Sequence, residues 1–219
     1  MKVFELLKPE AIANIKKAIA KLEYADGKKT ARGKAKDIKQ NLQITESDPN
    51  GKPILAGVRR VIAAHPVLES YAMIKHIVGM RIALYRDSGY YGWHVDMGAM
   101  GGVRTDLSFT IFLNEPDTYE GGELQIDYGV SVKKFKGKAG QMVVYPTGQL
   151  HQVTPVTKGE RLVIVGWISS CIATEEDRMA LHRMSVEVNR ITKLLPEEKD
   201  TEMNQLRYLL QHFRRRLYS

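Results

Sequence analysis

The 219-residue chain has very little cysteine and no long apolar segment. Its one cysteine, Cys171, excludes an internal disulfide and any zinc module built from several cysteines. No apolar run approaches the roughly 18 residues that a membrane-spanning helix needs, and residues 1–8 are too charged for a secretion signal. Hydrophobic residues make up 43% of the chain, which argues against disorder. We therefore expect a soluble protein of a reducing compartment, the cytoplasm.

The positive charge of the chain is concentrated near its N-terminus. The formal net charge is +8, and residues 1–40 hold 11 Lys/Arg against 5 Asp/Glu. Most of these cations lie in residues 28–39, which we call the basic loop. Such a run is typical either of a solvated loop or of a surface that attracts an acidic partner. Charge alone leaves both interpretations open.

Hydrophobic periodicity predicts helices at both ends of the chain and strands between them. Helical spacing of apolar residues predicts helices over 9–23, 55–78 and 200–217, with a further helix after residue 172. Eight short β-branched and aromatic runs, separated by turn residues, predict strands near 81–85, 91–97, 106–113, 123–127, 130–135, 141–145, 150–156 and 161–168. This pattern predicts an α+β fold with an antiparallel jelly-roll core.

The same pattern divides the chain into three regions. Residues 1–80 are expected to form an N-terminal helical and loop support that contains the basic loop. Residues 81–171 are expected to form the β core, and residues 172–219 a C-terminal helical extension.

Two histidines in the predicted β region, together with a nearby carboxylate, are candidate metal ligands. His94 and Asp96 stand two residues apart, so in a strand both side chains point to the same face. His151 begins a later predicted strand. Two imidazoles and one carboxylate make the facial triad that binds non-haem Fe(II) and leaves positions open for substrate and oxygen. The pattern therefore predicts an iron site.

Arg161 lies ten residues after His151 and opens an otherwise apolar strand. Burying a guanidinium without an anionic partner costs free energy. A dicarboxylic co-substrate would supply that partner in bidentate geometry. A carboxylate at the protein surface, near the strand end, is the alternative partner.

Seven segments of the chain resemble those of a known protein family. They read DGK, QNLQ, YGWHVD, RTDLS, YEGGEL, VYP and HQVTPVTKGER, at residues 26–28, 40–43, 91–96, 104–108, 119–124, 144–146 and 151–161. In these segments the chain resembles the PKHD-type hydroxylases, which are Fe(II)/2-oxoglutarate-dependent dioxygenases of the prolyl 4-hydroxylase superfamily. One departure is Trp93, where the family usually has phenylalanine, and we expect it to pack away from the metal.

The resemblance implies a double-stranded β-helix core and a set of residue roles. His94, Asp96 and His151 are expected to bind Fe(II). Arg161 is expected to bind the distal carboxylate of 2-oxoglutarate, with Tyr85 helping to hold this co-substrate.

The resemblance also implies an activity. The enzyme is expected to use O2, to convert 2-oxoglutarate into succinate and CO2, and to hydroxylate a prolyl residue of a peptide or protein. L-Ascorbate is expected to keep the iron reduced. The basic loop precedes a segment that lies near the active-site entrance in this family, so the substrate is expected to be acidic or part of a ribonucleoprotein particle. No membrane partner and no direct nucleic-acid substrate are expected.

Three other interpretations are weighed against this one. A hydroxylase of free amino acids or siderophore-type metabolites would carry the same residues. A non-catalytic metal-binding jelly-roll module would need no intact co-substrate site, whereas the triad and Arg161 are both present. An AlkB-type nucleic-acid demethylase carries a second arginine six residues after the co-substrate arginine, and this chain has Trp167 there.

Overall fold

The computed structural model describes residues 1–31, 33–195 and 200–218. Arg32, which belongs to the basic loop, lies outside this part. Within it the helices are α1 Pro9–Ile19, α2 Gly51–Ala64, α3 Pro66–Ala72, α4 Glu175–Thr192 and α5 Asp200–Leu217. Short 3-10 turns cover Gly27–Thr30, Gly33–Lys36 and Pro116–Thr118.

The strands of the described residues are, in chain order, β1 Lys2–Glu5, β2 Ala25–Asp26, β3 Lys39–Gln40, β4 Leu42–Thr45, β5 Ile74–Tyr85, β6 Tyr90–His94, β7 Ala99–Met100, β8 Val103–Arg104, β9 Leu107–Phe112, β10 Glu120–Gly121, β11 Leu124–Asp127, β12 Val132–Phe135, β13 Gln141–Pro146, β14 Leu150–Val153, β15 Val156–Lys158 and β16 Arg161–Ser170. Seven of them form one antiparallel sheet in the order β1-β13-β9-β16-β5-β4-β2. Five form a second antiparallel sheet in the order β12-β11-β14-β6-β3.

The larger sheet is buried on both faces, which explains why β9 has no exposed residue. On one face, helices α1, α2 and α3 cover it with apolar side chains. The helical members of this core are Ile12, Ile19, Leu55, Val58, Ile62 and Leu68. The other face packs against the smaller sheet through a second apolar cluster that draws on both sheets, as Tyr85 and Leu124 illustrate. Two antiparallel sheets facing each other confirm the predicted jelly-roll core and α+β class.

The eight predicted strands are all present, as β5, β6, β9, β11, β12, β13, β14 and β16. The single helix predicted over 55–78 is wrong. The chain leaves the helix at His65, whose extended backbone suits the residue before Pro66. Met73 then adopts a left-handed conformation, with φ of 45°. From Ile74 the chain pairs with β16 as a long strand, so sheet pairing overrides the helical spacing of its apolar residues.

The C-terminal helices pack on the end of the larger sheet. Leu181 of α4 and Leu210 of α5 join a third apolar cluster with Cys171 at the end of β16. The three-region division at residues 80 and 171 stays a prediction. The larger sheet contains strands from both sides of residue 80. Within the described ranges, no helix combines the length and apolarity needed to cross a bilayer.

The packing of α2 on the larger sheet makes a stability prediction. Leu55 is fully buried there, so we expect Leu55→Ala to lower the free energy of unfolding by about 2–5 kcal/mol through lost contacts and a cavity. Urea unfolding with linear extrapolation measures this. Val61→Ala on the same helix is the control, since Val61 is 41% exposed and its truncation is expected to change stability by about 0.5 kcal/mol or less. Equal losses for the two variants would contradict the described packing.

Candidate active site

Two strands of the smaller sheet bring three potential metal ligands together. β6 and β14 are neighbours, and their register places His151 opposite His94. Asp96 follows two residues after the end of β6. The Nε2 atoms of His94 and His151 lie 3.6 and 3.5 Å from the carboxylate oxygens of Asp96. One ligand atom from each of the three residues falls within 4.8 Å of the others, close enough to hold one metal ion.

The hydrogen bonds of the two histidines fix which nitrogen faces the metal position. Nδ1 of His94 lies 2.7 Å from the carbonyl oxygen of Gly92, and Nδ1 of His151 lies 2.8 Å from that of Gln149. A carbonyl only accepts, so both Nδ1 atoms carry the proton and donate it. The lone pairs of both Nε2 atoms are therefore available to a metal, which is the usual arrangement for ligating histidines.

Burial keeps His94 in the protonation state that a metal requires. The pKa of His94 is lowered to about 4, chiefly by burial and also by the charge of His151, with Asp96 opposing both effects. His94 is consequently neutral at neutral pH, as metal ligation demands.

The carboxylate of Asp96 is oriented by two side chains of the larger sheet. The hydroxyl of Ser108 donates to Oδ2 of Asp96 over 2.8 Å, and the indole Nε1 of Trp167 donates to the same oxygen over 3.0 Å. Partners of this kind fix the direction of a ligating carboxylate. The sequence pattern identified Asp96 but gave no sign of these two donors, since they come from different strands.

The three ligands line a cavity of about 190 Å³ between the two sheets. Protein interiors rarely leave voids larger than a water molecule, and a space of this size is large enough to admit a ligand. Tyr85 and Arg161, the two remaining residues that the sequence singled out, line the same cavity. The structure thus brings all five predicted site residues together.

Arg161 is the most unusual group in this cavity. It is 1% exposed and lies opposite Tyr85 in the pairing of β16 with β5. Its guanidinium carbon sits 5.0 Å from the ring centre of Tyr85 and 5.4 Å from that of Phe112. Nε and both Nη atoms are buried, with no hydrogen-bond partner among the described residues. Such a charge calls for an anion, since burying it unpaired is costly.

The turn at residues 119–122 completes the surroundings of Arg161. Gly122 has a φ of +65°, and a Cβ built there would lie 2.9 Å from Cδ of Arg161 and 3.0 Å from the ring of Tyr119. The glycine therefore leaves the space that the arginine stem occupies. The hydroxyl of Tyr119 is also buried without a partner in the described part of the chain. Burial raises the pKa of Tyr119, and the charge of Arg161 opposes that change.

These residues fit Fe(II) and 2-oxoglutarate. Two imidazole nitrogens and one carboxylate with coordination positions left open are the donor set of non-haem iron oxygenases. The unpaired guanidinium of Arg161 and the free hydroxyl of Tyr119 offer a buried cradle for a carboxylate.

Two further cations in the cavity were not identified from sequence. Lys39 on β3 is 3% exposed, and Arg81 on β5 lines the cavity beside it. Burial, with a smaller effect of Arg81, lowers the pKa of Lys39 to about 7. Burial also lowers the pKa of Arg81, against the effect of Asp96. Lys39 is part of the basic loop, and its burial distinguishes it from the exposed lysines there.

The two tryptophans lie in different positions relative to the cavity. Trp93 does not line the cavity, as expected, yet it is 39% exposed rather than packed. Trp167 is buried, its ring borders the cavity and its N–H reaches Asp96. Arg104 and Asp106 pair with each other over 2.7 Å, and Asp106 also accepts from the backbone of Ser170.

Comparison with known proteins agrees with this geometry. The family model of the 2OG-Fe(II) oxygenase superfamily matches residues 80–169. The chain is similar to a PKHD-type hydroxylase of Picosynechococcus sp., with 36% identity over 205 residues, or 94% of this chain and 93% of that one. It is similar to a PKHD-type hydroxylase of Prochlorococcus marinus, with 43% identity over 158 residues, or 72% of each chain.

Solved structures share the fold at lower identity. A prolyl-4-hydroxylase of Pseudomonas putida matches with a TM-score of 0.57 and 20% identity, over 77% of this chain and 91% of that one. A prolyl hydroxylase of Trichoplax adhaerens matches with a TM-score of 0.55 and 13% identity, over 82% and 86% of the two chains. These likenesses bear on the fold alone.

The bond from Trp167 to Asp96 makes a prediction about metal affinity. Trp167→Phe keeps a buried ring but removes the N–H donor, so we expect Fe(II) affinity to fall about 10- to 100-fold, as when other supporting partners of metal ligands are lost. Anaerobic competition with a chelator measures this. Trp93→Phe removes the other tryptophan of the chain and is expected to leave the affinity unchanged. An undiminished affinity in Trp167→Phe would show that its bond to Asp96 does not support the metal site.

Proposed function

Because the chain belongs to the PKHD-type hydroxylases of the 2OG-Fe(II) oxygenase superfamily and is a 2-oxoglutarate-dependent dioxygenase, we propose that it hydroxylates a prolyl residue of a peptide or protein. In the proposed reaction, 2-oxoglutarate is converted oxidatively into succinate and CO2. His94, Asp96 and His151 bind Fe(II), Arg161 binds the distal carboxylate of 2-oxoglutarate, and Tyr85 helps to hold that end of the co-substrate.

One observation carries this proposal. The fully buried guanidinium of Arg161, with three unpaired nitrogens, lines the same cavity as three residues that can hold one metal ion. A metal-binding module without a co-substrate has no use for a buried unpaired cation beside its metal. An oxygenase that binds a dicarboxylate does.

The protein's contribution to the reaction is orientation and exclusion of water. When bound, Fe(II) and 2-oxoglutarate supply the electrons that activate O2. The Nδ1–H bonds of the two histidines hold the Nε2 lone pairs toward one point, and Ser108 and Trp167 hold the carboxylate of Asp96. The rings of Tyr85 and Phe112 flank the guanidinium of Arg161 and keep water away from its carboxylate site.

Two observations support a prolyl residue as the target. Among the structural relatives, one is described as a prolyl-4-hydroxylase and another as a prolyl hydroxylase in complex with a peptide of hypoxia inducible factor. In this chain the ring of Tyr91 stacks on His94 with centroids 3.5 Å apart, and Tyr91 and Trp167 both line the cavity. Flat aromatic faces beside the metal position suit a compact apolar ring such as pyrrolidine.

The basic loop supports a macromolecular substrate with acidic character. Thr30, Ala31 and Ala35 line the cavity, so the loop borders the site. Its lysines at 28, 29, 34 and 36 are exposed. They would attract acidic flanks of a substrate protein, or one held in a ribonucleoprotein particle such as a ribosome. We propose no direct nucleic-acid substrate, since Trp167 stands where the AlkB-type enzymes carry their second arginine. We also propose no membrane partner.

We also propose a cytoplasmic location and L-ascorbate as the reductant. The proposed reaction needs iron as Fe(II), which a reducing compartment maintains, and ascorbate would return oxidised iron to that state. Omission of ascorbate from a long incubation is then expected to slow turnover progressively.

The site makes a prediction about turnover. With Fe(II), 2-oxoglutarate and O2, the unmodified enzyme is expected to form succinate, which is quantified by mass spectrometry. His94→Ala is expected to abolish it, because one of three ligands is lost. Arg161→Gln is expected to weaken 2-oxoglutarate binding about 10- to 100-fold, because a charge-assisted pair is lost.

Two control variants test whether these effects are specific to the site residues. His76 is exposed on β5, and Arg59 pairs with Glu46 outside the cavity. His76→Ala and Arg59→Gln are expected to leave succinate formation unchanged. Proline-containing peptides and free proline are compared as substrates in the same assay. If only free proline is hydroxylated, the substrate is a small molecule and not a peptide. The absence of succinate under all conditions would contradict the proposal.

The basic loop makes a separate prediction. Replacing Lys28, Lys29, Lys34 and Lys36 by glutamine is expected to weaken binding of acidic proline-containing peptides and to flatten its dependence on salt, because exposed charges act through screened attraction. Hydroxylation rates are measured against NaCl concentration, with a neutral peptide as the control. An unchanged salt dependence would show that these lysines are exposed to solvent without attracting the substrate.

A further inference from the structure

Lys39 and Arg81 are two cations in the active-site cavity that the reaction described so far does not use. Both line the cavity with the metal ligands. In the described part of the chain, neither has a carboxylate within 4.0 Å. Burying one unpaired cation is costly, and burying two side by side is more so.

The contacts of these two groups are with neutral partners. The ammonium of Lys39 donates to the hydroxyl of Thr30 over 2.9 Å and lies 4.9 Å from the ring centre of Tyr91. The guanidinium of Arg81 lies 4.8 Å from the ring of Trp167, and its Nε donates to the carbonyl oxygen of Gly79 over 3.2 Å. Most N–H donors of both groups are therefore available to a ligand.

A local irregularity of β5 sets the position of Arg81. The pairing of β5 with β16 shifts register between Val165 and Trp167, and Gly79 has a φ of +64° there. Bulges of this kind redirect side chains and are common beside active sites. A Cβ at Gly79 would lie 2.7 Å from the sulfur of Met100 and 3.0 Å from the ring of Trp167. The bulge thus lets Trp167 lie between Arg81 and Asp96.

Iron and 2-oxoglutarate leave the positive charge of the cavity uncompensated. Among the described residues, the charged groups that line it are Arg81, Arg161, Asp96 and Lys39, and a pKa of about 7 leaves Lys39 partly protonated at neutral pH. Cations therefore outnumber carboxylates when the histidines are neutral. Fe(II) and the 2-oxoglutarate dianion carry equal and opposite charges. Loading both therefore leaves the surplus as it was, and a further anion is needed to balance it.

Arg81 and Arg161 mark different regions of the cavity. Arg161 lies opposite Tyr85, and Arg81 is four residues from Tyr85 on the same strand, a Cα separation of roughly 13 Å. The carboxyl carbons of 2-oxoglutarate are separated by four bonds of about 1.5 Å each, or about 5 Å in all. The region around Arg81 and Lys39 is thus distinct from the one that receives the distal carboxylate.

We propose that Arg81 and Lys39 bind a carboxylate of the primary substrate, beside Trp167, so that the substrate is a prolyl residue with a carboxylate next to it. This inference rests on the proposed function and names its substrate class. The carboxylate belongs either to an acidic side chain adjacent to the proline or to a C-terminal proline itself. Arg81 binds it through its planar fork of donors and Lys39 as a point charge.

The test measures ligand binding by calorimetry to enzyme loaded anaerobically with Fe(II) and 2-oxoglutarate. Acetyl-Pro-Asp-amide is compared with acetyl-Pro-Asn-amide for a side-chain carboxylate. Acetylproline is compared with acetylprolinamide for a terminal one. We expect the acid of at least one pair to bind about 10- to 100-fold more tightly than its amide, as charge-assisted bonds do, and the responding pair identifies the source of the carboxylate.

Variants then assign the preference to the two cations. Arg81→Gln and Lys39→Met are each expected to reduce the acid-to-amide preference at least tenfold or to abolish it. Arg81→Lys is expected to keep part of it, since the charge remains and the fork is lost. Arg59→Gln is expected to leave it intact. Thermal unfolding checks that each variant folds, and if Arg81→Gln does not, Lys39→Met and Arg81→Lys decide the outcome.

Three binding results would overturn the inference. The first is equal affinity for acid and amide in both pairs, and the second is no binding of any acid. The third is an Arg81→Gln variant that loses affinity for 2-oxoglutarate but keeps the acid preference, which would assign Arg81 to the co-substrate. Mass spectrometry of the same ligands separates this inference from the proposed function. Equal hydroxylation of acid and amide defeats the inference alone, whereas acid-selective binding without hydroxylation of proline defeats the proposed function alone.

Discussion

The pairing of β14 with β6 is the constraint on which the candidate site depends. Only in the observed register does His151 lie opposite His94 with both side chains directed to the cavity. Side chains alternate along a strand, so a slip by one residue would move His151 to the other face. The register is held by apolar residues of the same strands, such as Val153, which pack between the sheets. The metal site is therefore a product of core packing.

The larger sheet provides the complementary half of the site. Its strands β5, β9 and β16 carry Arg81, Ser108 and Arg161 on the face that meets the smaller sheet, while the opposite face packs on the helices. Arg161 of β16 and Arg81 of β5 lie on the face that meets the smaller sheet, where both line the cavity. The sheet thus concentrates charge where a ligand can use it and keeps the remaining interior apolar.

The sequence allowed the central part of this arrangement to be predicted. Strand alternation places His94 and Asp96 on one face from local spacing alone, and the apolar run after Arg161 marks a buried strand. The N-terminal strands β1 to β4 were missed because they are short and acquire their structure by pairing with distant strands, as Lys39 does opposite Tyr91. The helix expected over 55–78 was wrong for a similar reason, since Ile74 continues the helical spacing of the preceding apolar residues but belongs to a strand that pairs with β16.

The supporting residues of the site could not have been recognised in the same way. Nothing near Trp167 or Ser108 in sequence indicates that both donate to Asp96. Lys39 looks like one more lysine of a basic run, and only its burial beneath Thr30 and beside Tyr91 sets it apart. These roles depend on contacts between side chains of four different strands. A pattern within one segment of the sequence cannot indicate such contacts.

The position of Trp167 has a thermodynamic consequence. One side of its indole holds the carboxylate of Asp96 and the other supports the guanidinium of Arg81, so a shift of the ring is felt by both groups. Linkage between two sites is reciprocal: a factor by which one ligand changes the affinity of another applies equally in the opposite direction. An occupant of the Arg81 region and the metal ion are therefore coupled through a single side chain. Any factor by which the bound metal ion changes the affinity of the Arg81 region for its ligand therefore applies equally to the affinity for the metal ion when that ligand is bound.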